Sequence, residues 1–499
     1  MKQNHIIHKV LVELTVEDQR QAHLVKDDIS SFLSIDVFPK LEKYINTLEA
    51  KFPKQTLQIE QLKLDISGNP NVLDSELKKS VVSAFKKALT EAVKPFTDSN
   101  FDLMNDNTDD YEGISLLEEP EKLLRAFIYF LEKGEVPWWN SNQNAFNILD
   151  EEVFEKIFSV KGFESSIAAV LLRPNVPERI VNQLTDSQIK RLSLAVFKNN
   201  RSVIDLGSQL MKQPSKSGIT VRTALWSLVL NIAGNYLNRP SGNHEEYAKE
   251  KIIHTLSALK TSGTNPPEEI AERILDMFPF ISTQQRNEIK AVSLNDFTSE
   301  TDADKNLDNI FGEHNKKNLF FEDNAGNQID NVSMDEEGIH IQNAGLILIH
   351  PFIMHLFSHC GLIDPKTKEL TNPALCVHLL HYIATGKINQ PESNMLFEKF
   401  LCNVPLQRSI SRHVKLSQKH KNHAKKVTDA VRENWSAMSN ASLELLQTEF
   451  FQRPGKLVLK DNPTLTVERK TQDILLDKLS WGLGLVKLSW HETFIYVNW

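Results

Sequence analysis

The sequence predicts a mainly α, multidomain protein with a small α+β N-terminal domain, a helical middle and an α+β C-terminal domain that holds a short antiparallel sheet. Three observations support this prediction. The 499 residues exceed what one hydrophobic core usually serves. Apolar residues recur at helical spacing through most of the chain, and period-two alternation is limited to short stretches near both ends. Two acidic stretches separate these parts.

The N-terminal domain, residues 1–96, begins with a predicted strand. Its apolar residues occupy even positions, with His8 as an interruption: Ile6, Val10, Val12, Leu14 and Val16. Residues 29–48 follow with apolar side chains three or four apart, which predicts a helix. Pro39 lies inside that helix, and we expect it to introduce a kink.

A second strand and a second helix complete this domain. Residues 57–66 alternate, but the phase of the alternation changes near Gln61, which predicts a bulge. Asp74 then fits the N-cap of an amphipathic helix whose apolar stripe is Leu77, Val81, Phe85, Leu89 and Val93. Strand, helix, strand, helix is a small α+β unit.

The two acidic stretches are predicted to be linkers. Nine acids and no base lie between residues 98 and 121, and we assign 97–121 as the first linker. Residues 293–338 carry twelve acids against three lysines, a net charge of −9. Self-repulsion and few large apolar groups favour extended chain in both. Between them, residues 122–292 contain short apolar helices divided by prolines, which predicts a helical array without a clear repeat period.

The C-terminal domain, residues 339–499, is predicted to form around residues 339–363. After a short alternating piece, Asn343, Ala344 and Gly345 lead into an almost wholly apolar segment that must be covered on all sides. We expect one or two helical turns, then a helix that begins at Pro351 and ends at Gly361. Three histidines and the internal proline favour a buried helix over a membrane span.

Local signals place the remaining C-terminal elements. Asn372 and Pro373 begin a helix that ends at Gly386, and Ser417 caps a longer helix. Further helices are predicted over residues 395–401 and 442–452 and around 474–479, a hairpin over 457–468, and two strands over 485–490 and 494–499. Because Trp499 ends the chain without a polar tail, we expect this terminus to be fixed in the sheet.

One group of histidines and cysteines could bind zinc. Its members are His355, His359, Cys360, Cys376, His378 and His381. The alternative is that these are core histidines with hydrogen-bond partners and buried thiols. We favour the alternative, because the spacing matches no closed zinc pattern. We therefore predict no metal and no cofactor.

Residues 408–432 form a basic segment with eight lysines and arginines and one acid, Asp429. Such a helix could contact nucleic acid. It could equally be a solvated face that complements the acidic stretches of the same chain. We favour the second interpretation, because no stacking aromatics are interleaved and the whole chain carries a net charge of −8.

Aromatic residues are dense near the C-terminus and at one place in the middle of the chain. Side chains of this kind fill a core or anchor an interface, and the core is slightly favoured. The candidate interaction surface consists of Trp138, Trp139, Trp481, Trp490, Tyr496 and Trp499.

Catalytic signatures are absent from the sequence. There is no glycine-rich phosphate loop, no Gly-x-Ser-x-Gly motif and no His-Glu-x-x-His pair, so we predict that the protein is not an enzyme. The three cysteines are an odd number, which indicates a reducing compartment, and the first residues contain no secretory signal. These features predict a cytoplasmic protein without a transmembrane segment or a small-molecule substrate.

A set of C-terminal motifs resembles a known family. The motifs are Asn343-Ala344-Gly345-Leu346, His350-Pro351-Phe352, residues 378–382, Ala384-Thr385-Gly386, Gln452-Arg453, Gly455-Lys456-Leu457, residues 467–470, residues 473–477 and Trp481-Gly482. Together they are similar to the C-terminal region of the tape measure protein family of contractile injection systems, which are phage-tail-like particles. Leu131, Gly134, Pro137, Trp138 and Trp139 and the N-terminal strand and helix also resemble that family.

The resemblance implies a bacterial structural protein that takes part in building the inner tube and baseplate, with the proteins of those parts as partners. A role in setting tube length and incorporation in the assembled particle are further implications of the resemblance. A single helix of 499 residues would span about 750 Å. The twenty prolines and the separate cores predict a folded and much shorter protein, which favours an assembly role over a literal ruler. The alternative function is a nucleic-acid-binding or regulatory protein that uses residues 408–432.

Overall fold

The computed structural model describes the following residues: 5–13, 28–49, 52, 55–66, 73–97, 113–140, 148–173, 175–196, 219–238, 243–261, 271–272, 274–276, 278, 281–294, 338–460 and 462–499. The chain forms two compact units. One comprises Met1–Ala126, Trp138–Ile148 and Glu152–Val160, and the other comprises Phe127–Pro137, Leu149–Glu151 and Lys161–Trp499. The finer division into domains and linkers stays a prediction.

The first predicted helix is confirmed, with a wide turn in front of its proline. A π-helical turn, Phe32–Val37, leads into helix α1 (Phe38–Glu49). The ring of Pro39 would clash with the carbonyl group four residues earlier in a regular helix, and the wider turn relieves that clash. The sequence therefore predicted the position of an irregularity in this helix, and in the structure the irregularity is a π turn.

A two-stranded antiparallel sheet and a second helix complete this small core. Strand β1 (Gln55–Ile59) precedes helix α2 (Ser75–Thr97) and pairs with strand β2 (Ile114–Glu118). Asp74 caps α2 as predicted, because its Oδ1 accepts hydrogen bonds from the backbone N–H groups of Glu76 and Leu77, both at 2.9 Å. The core side chains come from both helices and from the loop at Phe52: Phe32, Val37, Leu41, Phe52, Phe85, Leu89 and Val93.

Three predictions for this part are wrong. Residues 5–13 form no strand, and Leu11 is 80% exposed; Leu14 and Val16 lie outside the described residues. The second strand ends at Ile59, so residues 61–66 have no ladder and no bulge. Residues 114–118, predicted as linker, are the strand that β1 pairs with. Alternation of apolar and polar residues favours extended chain, but a strand also needs a neighbouring strand to pair with. Strand β1 finds that partner at the end of the acidic stretch.

The regular elements that the structure describes in residues 122–292 are all helices, as predicted. Its α-helices, with a 3₁₀ turn at Trp138–Asn140, are α3 (Glu119–Lys133), α4 (Glu151–Phe158), α5 (Phe163–Leu171), α6 (Asn175–Gln183), α7 (Asp186–Val196), α8 (Ile219–Asn238), α9 (His244–Thr261) and α10 (Thr283–Leu294). Residues 295–337, most of the second predicted linker, lie outside the described residues.

The C-terminal part follows the predicted element order closely. Strand β3 (Ile339–Ile341) is followed by a 3₁₀ helix, Ala344–Ile349. The helices are α11 (His350–Cys360), α12 (Pro373–Thr385), α13 (Leu396–Leu401), α14 (Gln418–Asn434) and α15 (Leu443–Leu446), the last continued by a π turn, Gln447–Phe451. A 3₁₀ helix, Thr471–Lys478, and strands β4 (Gly455–Val458), β5 (Thr464–Val467), β6 (Leu485–Val486) and β7 (Ile495–Asn498) complete it.

The predicted helix ends in this part are confirmed. Asn372, Ser417 and Ser442 each accept a hydrogen bond from a backbone N–H of the first helical turn. Gly361 and Gly386 end their helices in the left-handed conformation, with φ of 73° and 70°. These positions were predictable because the signals are local.

The five strands form one mixed sheet in the order β3, β4, β5, β7, β6. Neighbours are antiparallel except β5 and β7, which are parallel, so the prediction of a purely antiparallel sheet is wrong. The chain returns to the sheet through the 3₁₀ helix and β6, and this crossover allows the parallel pairing. The terminal strand β7 lies inside the sheet, as expected for this terminus.

The prediction that residues 344–361 are covered on all sides is confirmed for the 3₁₀ helix and wrong for α11, which has an exposed face that includes Met354 and His355. All six residues of Ala344–Ile349 are buried, and the same core takes in Phe357, Trp435 and Phe451. Pro351 lies at the start of α11, one residue later than His350. Among the residues that the structure describes, no helix has both the length and the apolar character needed to cross a membrane.

Candidate interaction surface

Two of the candidate tryptophans are fixed within the C-terminal part. The indole N–H of Trp481 donates to the Leu348 carbonyl at 3.0 Å, and its ring meets Phe352 edge-on. The indole N–H of Trp490 donates to the Leu401 carbonyl at 2.7 Å. Half-buried indole rings whose N–H groups have a hydrogen-bond partner stabilise the fold. The main role of these two tryptophans is therefore packing.

Trp499 is held in the same way at the end of the chain. Its indole N–H donates to Asp473 Oδ2 at 3.1 Å, and the guanidinium group of Arg453 lies 5.7 Å from its ring centroid. Arg453 is fully buried and donates to both Asp473 carboxylate oxygens at 3.0 and 3.2 Å. The last residue is therefore part of a charged and aromatic cluster.

Tyr496 differs from these tryptophans, because 45% of its surface is exposed. It pairs across the sheet with Leu485, which is 52% exposed, and on the other side with Thr464. Its strand neighbours Ile495 and Val497 point into the core. Tyr496, Leu485 and Thr464, together with Val458 in the next strand, form one row on the outer face of the sheet, which we call the sheet-face row.

The tryptophan pair in the middle of the chain stays a prediction. Trp139 is half-buried, and the ammonium group of Lys122 lies 6.0 Å from its ring centroid. The side chain of Trp138 lies outside the described residues.

The structure separates the six residues of the possible zinc group. His381 Nδ1 lies 2.8 Å from Glu398 Oε1, and the same oxygen accepts from Asn343 Nδ2 at 2.7 Å. His378 Nε2 is 2.8 Å from the Ser411 carbonyl oxygen. His355 and His359 lie on the exposed face of α11. Among the described residues, no three His, Cys, Asp or Glu side chains are arranged to hold a metal ion.

The three cysteines are buried and free. Burial raises the pKa of the Cys376 and Cys402 thiols well above the ordinary value. A thiol in this state carries almost no thiolate at neutral pH and behaves as a small apolar side chain.

Burial lowers the pKa of His378 from its ordinary 6.5 to about 4. Below pH 6.5 the unfolded chain therefore binds a proton that the folded chain does not, so stability falls as the pH drops from 6.5 towards 4. The difference corresponds to about 3 kcal/mol at the acid end of this range. We expect His378→Gln to reduce the acid-induced loss of unfolding free energy between pH 7 and 4.5 by about 2 kcal/mol. Denaturant titrations at both pH values measure this.

A matched control exists on α11. His355 is exposed, so His355→Gln should leave the acid-induced loss as it is in the parent chain. If His378→Gln shows the same loss as the parent chain, the burial of a neutral imidazole is not the source of the pH dependence.

The basic segment spreads over loop and helix. Arg412 donates from Nε to the Asn389 carbonyl at 2.8 Å, and Arg432 pairs with Asp429 at 2.7 Å. Lys415, Lys419, Lys425 and Lys426 are exposed on or just before α14. The arginines with partners thus stabilise the fold, and the lysines form a charged surface.

Sequence reasoning missed a buried ionic cluster. Glu392 Oε1 accepts from Arg179 Nε at 2.6 Å, and Oε2 accepts from Lys399 Nζ at 2.7 Å. All three side chains are fully buried. The signal was present as Lys399 inside the mostly apolar helix α13, because a charge there must find a partner in the core.

A sequence model of one protein family, described as contractile injection system tape measure protein, matches residues 4–499 of the chain. No curated protein and no solved structure matches it.

Proposed function

Because this chain belongs to the contractile injection system tape measure protein family, a structural family, we propose that it acts as a folded assembly factor for the inner tube and baseplate of the particle. The observation that carries the proposal is the family match, which covers nearly the whole chain.

The dimensions of the described elements support a folded factor over an extended ruler. The longest α-helix in the described part of the chain is α2, with 23 residues. At about 1.5 Å per residue it is about 35 Å long, against about 750 Å for the whole chain as one helix. The deeply buried Ala344–Ile349 segment would have to leave its core before the chain could extend.

Gene deletion separates the possible roles. We expect cells without this protein to contain no complete particles, or very few, in electron micrographs of purified material. Particles of altered length would support the ruler, and normal particles in normal numbers would contradict both roles. Re-expression of the intact chain from a plasmid is the control.

An internal deletion tests the ruler directly. Removal of residues 298–333 takes out 36 residues of the acidic stretch. A helical ruler would shorten the tube by about 50 Å, since each residue contributes about 1.5 Å. A folded assembly factor predicts tubes of unchanged length, which we expect. A proportional shortening in purified particles would contradict the proposal.

We further propose that the sheet-face row contacts a particle protein. Exposed aromatic and aliphatic side chains at the centre of an interface contribute most of its binding energy, about 2 kcal/mol or more for a strong contact. The double substitution Tyr496→Ser with Leu485→Ser is therefore expected to reduce the yield of complete particles at least about tenfold. Counting particles per cell mass measures the effect.

A matched control uses an exposed apolar residue elsewhere. Ile474 is 71% exposed on the 3₁₀ helix, and Ile474→Ser should leave the particle yield unchanged. Both proteins should keep the parent's unfolding midpoint within a few degrees. Equal particle yields from the double variant and from Ile474→Ser would contradict the proposal that the sheet-face row contacts a particle protein.

A further inference from the structure

We propose that a positive face formed by α11 and α14 binds the acidic stretch of this same chain, residues 293–338. The face consists of His355 and His359 on α11 and of Lys419, His423 and Lys426 on α14, and we call it the basic face. This inference does not depend on the proposed function.

Two helices bring these side chains together. Helices α11 and α14 pack against each other. The ring centroids of His359 and His423 are 5.6 Å apart, and those of His355 and His359 are 6.5 Å apart. On α14, Lys419, His423 and Lys426 are spaced by four and three residues, so they lie on one stripe beside the two α11 histidines.

The electrostatic environment of His423 supports this arrangement. Slight burial lowers its pKa first, and the charges of Lys426, His359, Lys419 and His420 lower it further. Each of these neighbours is a base, and Lys419 and Lys426 supply the positive charge of the basic face. An anion that binds there relieves this repulsion.

The lysines of the face have no carboxylate partner among the described residues. The segment from Lys419 to Lys426 contains four lysines and no acid, and Asp429 is already paired with Arg432. Lys419 also lies in the first turn of α14, where the helix dipole is positive and no acid is present. The folded chain thus leaves a site where carboxylates are favoured by two separate effects.

The acidic stretch matches this site in charge and can reach it. It carries a net charge of −9, and it ends at Gly338, next to β3 of the same compact unit. A stretch of 46 residues can span up to about 150 Å, so chain length sets no limit. Because the stretch is tethered, its effective concentration at the face is in the millimolar range, which favours it over a free acidic partner.

Nucleic acid fits the face less well. Single-stranded binding needs aromatic rings on which bases stack, and none of the five residues of the face is Phe, Tyr or Trp. The ammonium group of Lys421, elsewhere on α14, lies 5.8 Å from the ring centroid of Tyr382, whose ring is half-buried. DNA binding is therefore the outcome that contradicts the proposal.

Carbodiimide cross-linking of the full chain tests the contact, because this reagent joins a carboxylate directly to a lysine amine. At 10 mM salt we expect linked peptides between residues 296–337 and Lys419 or Lys426. Their yield should fall at least about fivefold at 1 M salt, where the Debye length shrinks from about 30 Å to about 3 Å. Mixing isotopically light and heavy protein shows whether the linked peptides come from one molecule. Links between two molecules, or none at low salt, would overturn the proposal.

Protease sensitivity tests the same contact without the lysine chemistry. In the double variant Lys419→Gln with Lys426→Gln, the acidic stretch should leave the face more often. We therefore expect a glutamate-specific protease to cut it at least about threefold faster at 10 mM salt. Each exposed ion pair contributes little, but several pairs together add up to such an effect. The control, Lys460→Gln with Lys478→Gln, removes the same charge from exposed sites elsewhere. Equal cutting rates in all three proteins would overturn the proposal.

A DNA oligonucleotide separates the two polyanions. We expect the intact chain to bind it weakly at 50 mM salt, and a chain whose twelve acids are replaced by their amides to bind it at least about tenfold more tightly, because the face is then uncovered. Equally tight binding by both proteins would show that the face serves nucleic acid instead.

Discussion

Replacing Glu392 with alanine is expected to destabilise the C-terminal part of the protein by about 3–5 kcal/mol, because it leaves two buried cations without their carboxylate. Arg179 and Lys399 both donate to Glu392, at 2.6 and 2.7 Å, and the backbone N–H of Ile410 donates to it at 3.0 Å. Burial already lowers the pKa of Lys399, and without Glu392 its ammonium group would lose the charge that opposes this effect.

The remaining partners of the two cations do not replace the carboxylate. Lys399 Nζ also donates to the Leu406 and Arg408 carbonyls at 3.1 and 2.8 Å, and Arg179 donates to the Leu131 carbonyl at 2.5 Å. Carbonyl groups satisfy hydrogen bonds but carry no net charge. The lysine can escape by losing its proton, whereas the guanidinium group of Arg179 cannot.

Urea denaturation followed by tryptophan fluorescence measures this loss. Glu369 is an exposed glutamate of the same compact unit, and Glu369→Ala should change the unfolding free energy by no more than about 0.5 kcal/mol. The triple change Arg179→Met, Glu392→Leu and Lys399→Met should recover much of the stability, because it removes all three charges together. A loss below about 1 kcal/mol in Glu392→Ala would contradict the assigned role of the cluster.

This cluster also marks where prediction from sequence ends. Arg179 and Glu392 are 213 residues apart, and nothing local to either residue indicates the other. The same reason explains the error at β1, whose partner strand comes from 114–118, a stretch that its acids placed in a linker. Pairings between distant segments depend on the whole fold. Neither the apolar periodicity nor the composition of one segment encodes them.

Local features were predictable because their physical cause lies within a few residues. Ser417 accepts from the backbone N–H of His420, and Gly361 takes a left-handed conformation that side chains disfavour. The apolar content of residues 344–349 required burial, which the structure confirms. These signals located nearly every C-terminal element without any tertiary information.

The candidate surface was predictable in composition but not in orientation. Aromatic density marked the last strand as a candidate, and alternation in that strand separates the exposed Tyr496 from the buried Ile495 and Val497. Which sheet face stays uncovered depends on where the helices pack. Trp481 and Trp490 show this, because the indole N–H of each donates a hydrogen bond to a backbone carbonyl of the core.

Replacing Gly345 with alanine is expected to cost about 3 kcal/mol or more, because the new methyl group has no room. A Cβ atom at this position would lie 1.7 Å from the carbonyl oxygen of Phe450 and 2.8 Å from its carbonyl carbon. Both are backbone atoms of the π turn that follows α15, so no side-chain rotation relieves the clash. The 3₁₀ helix and the π turn would have to move apart, which opens the most buried part of the core.

The neighbouring contact explains why two separate motifs of the sequence act together. A Cβ atom on Gly455 would lie 2.5 Å from the Cβ atom of Ala344 and 2.7 Å from the Thr466 carbonyl oxygen. Small residues at 344, 345 and 455 therefore allow the start of the 3₁₀ helix Ala344–Ile349, the π turn and strand β4 to approach one another closely. All three positions belong to motifs that carry the resemblance in the C-terminal region.

Thermal unfolding and urea titration of Gly345→Ala measure the cost, with Gly482→Ala as the matched control. No atom of the described residues lies within 4 Å of a Cβ built on Gly482, so the control should change the unfolding free energy by no more than about 0.5 kcal/mol. If the two alanine proteins unfold at the same urea concentration, the close approach at Gly345 does not hold this core together. If only Gly345→Ala is destabilised, backbone proximity at a glycine, and not hydrophobic content alone, explains how residues 344–349 are fully buried.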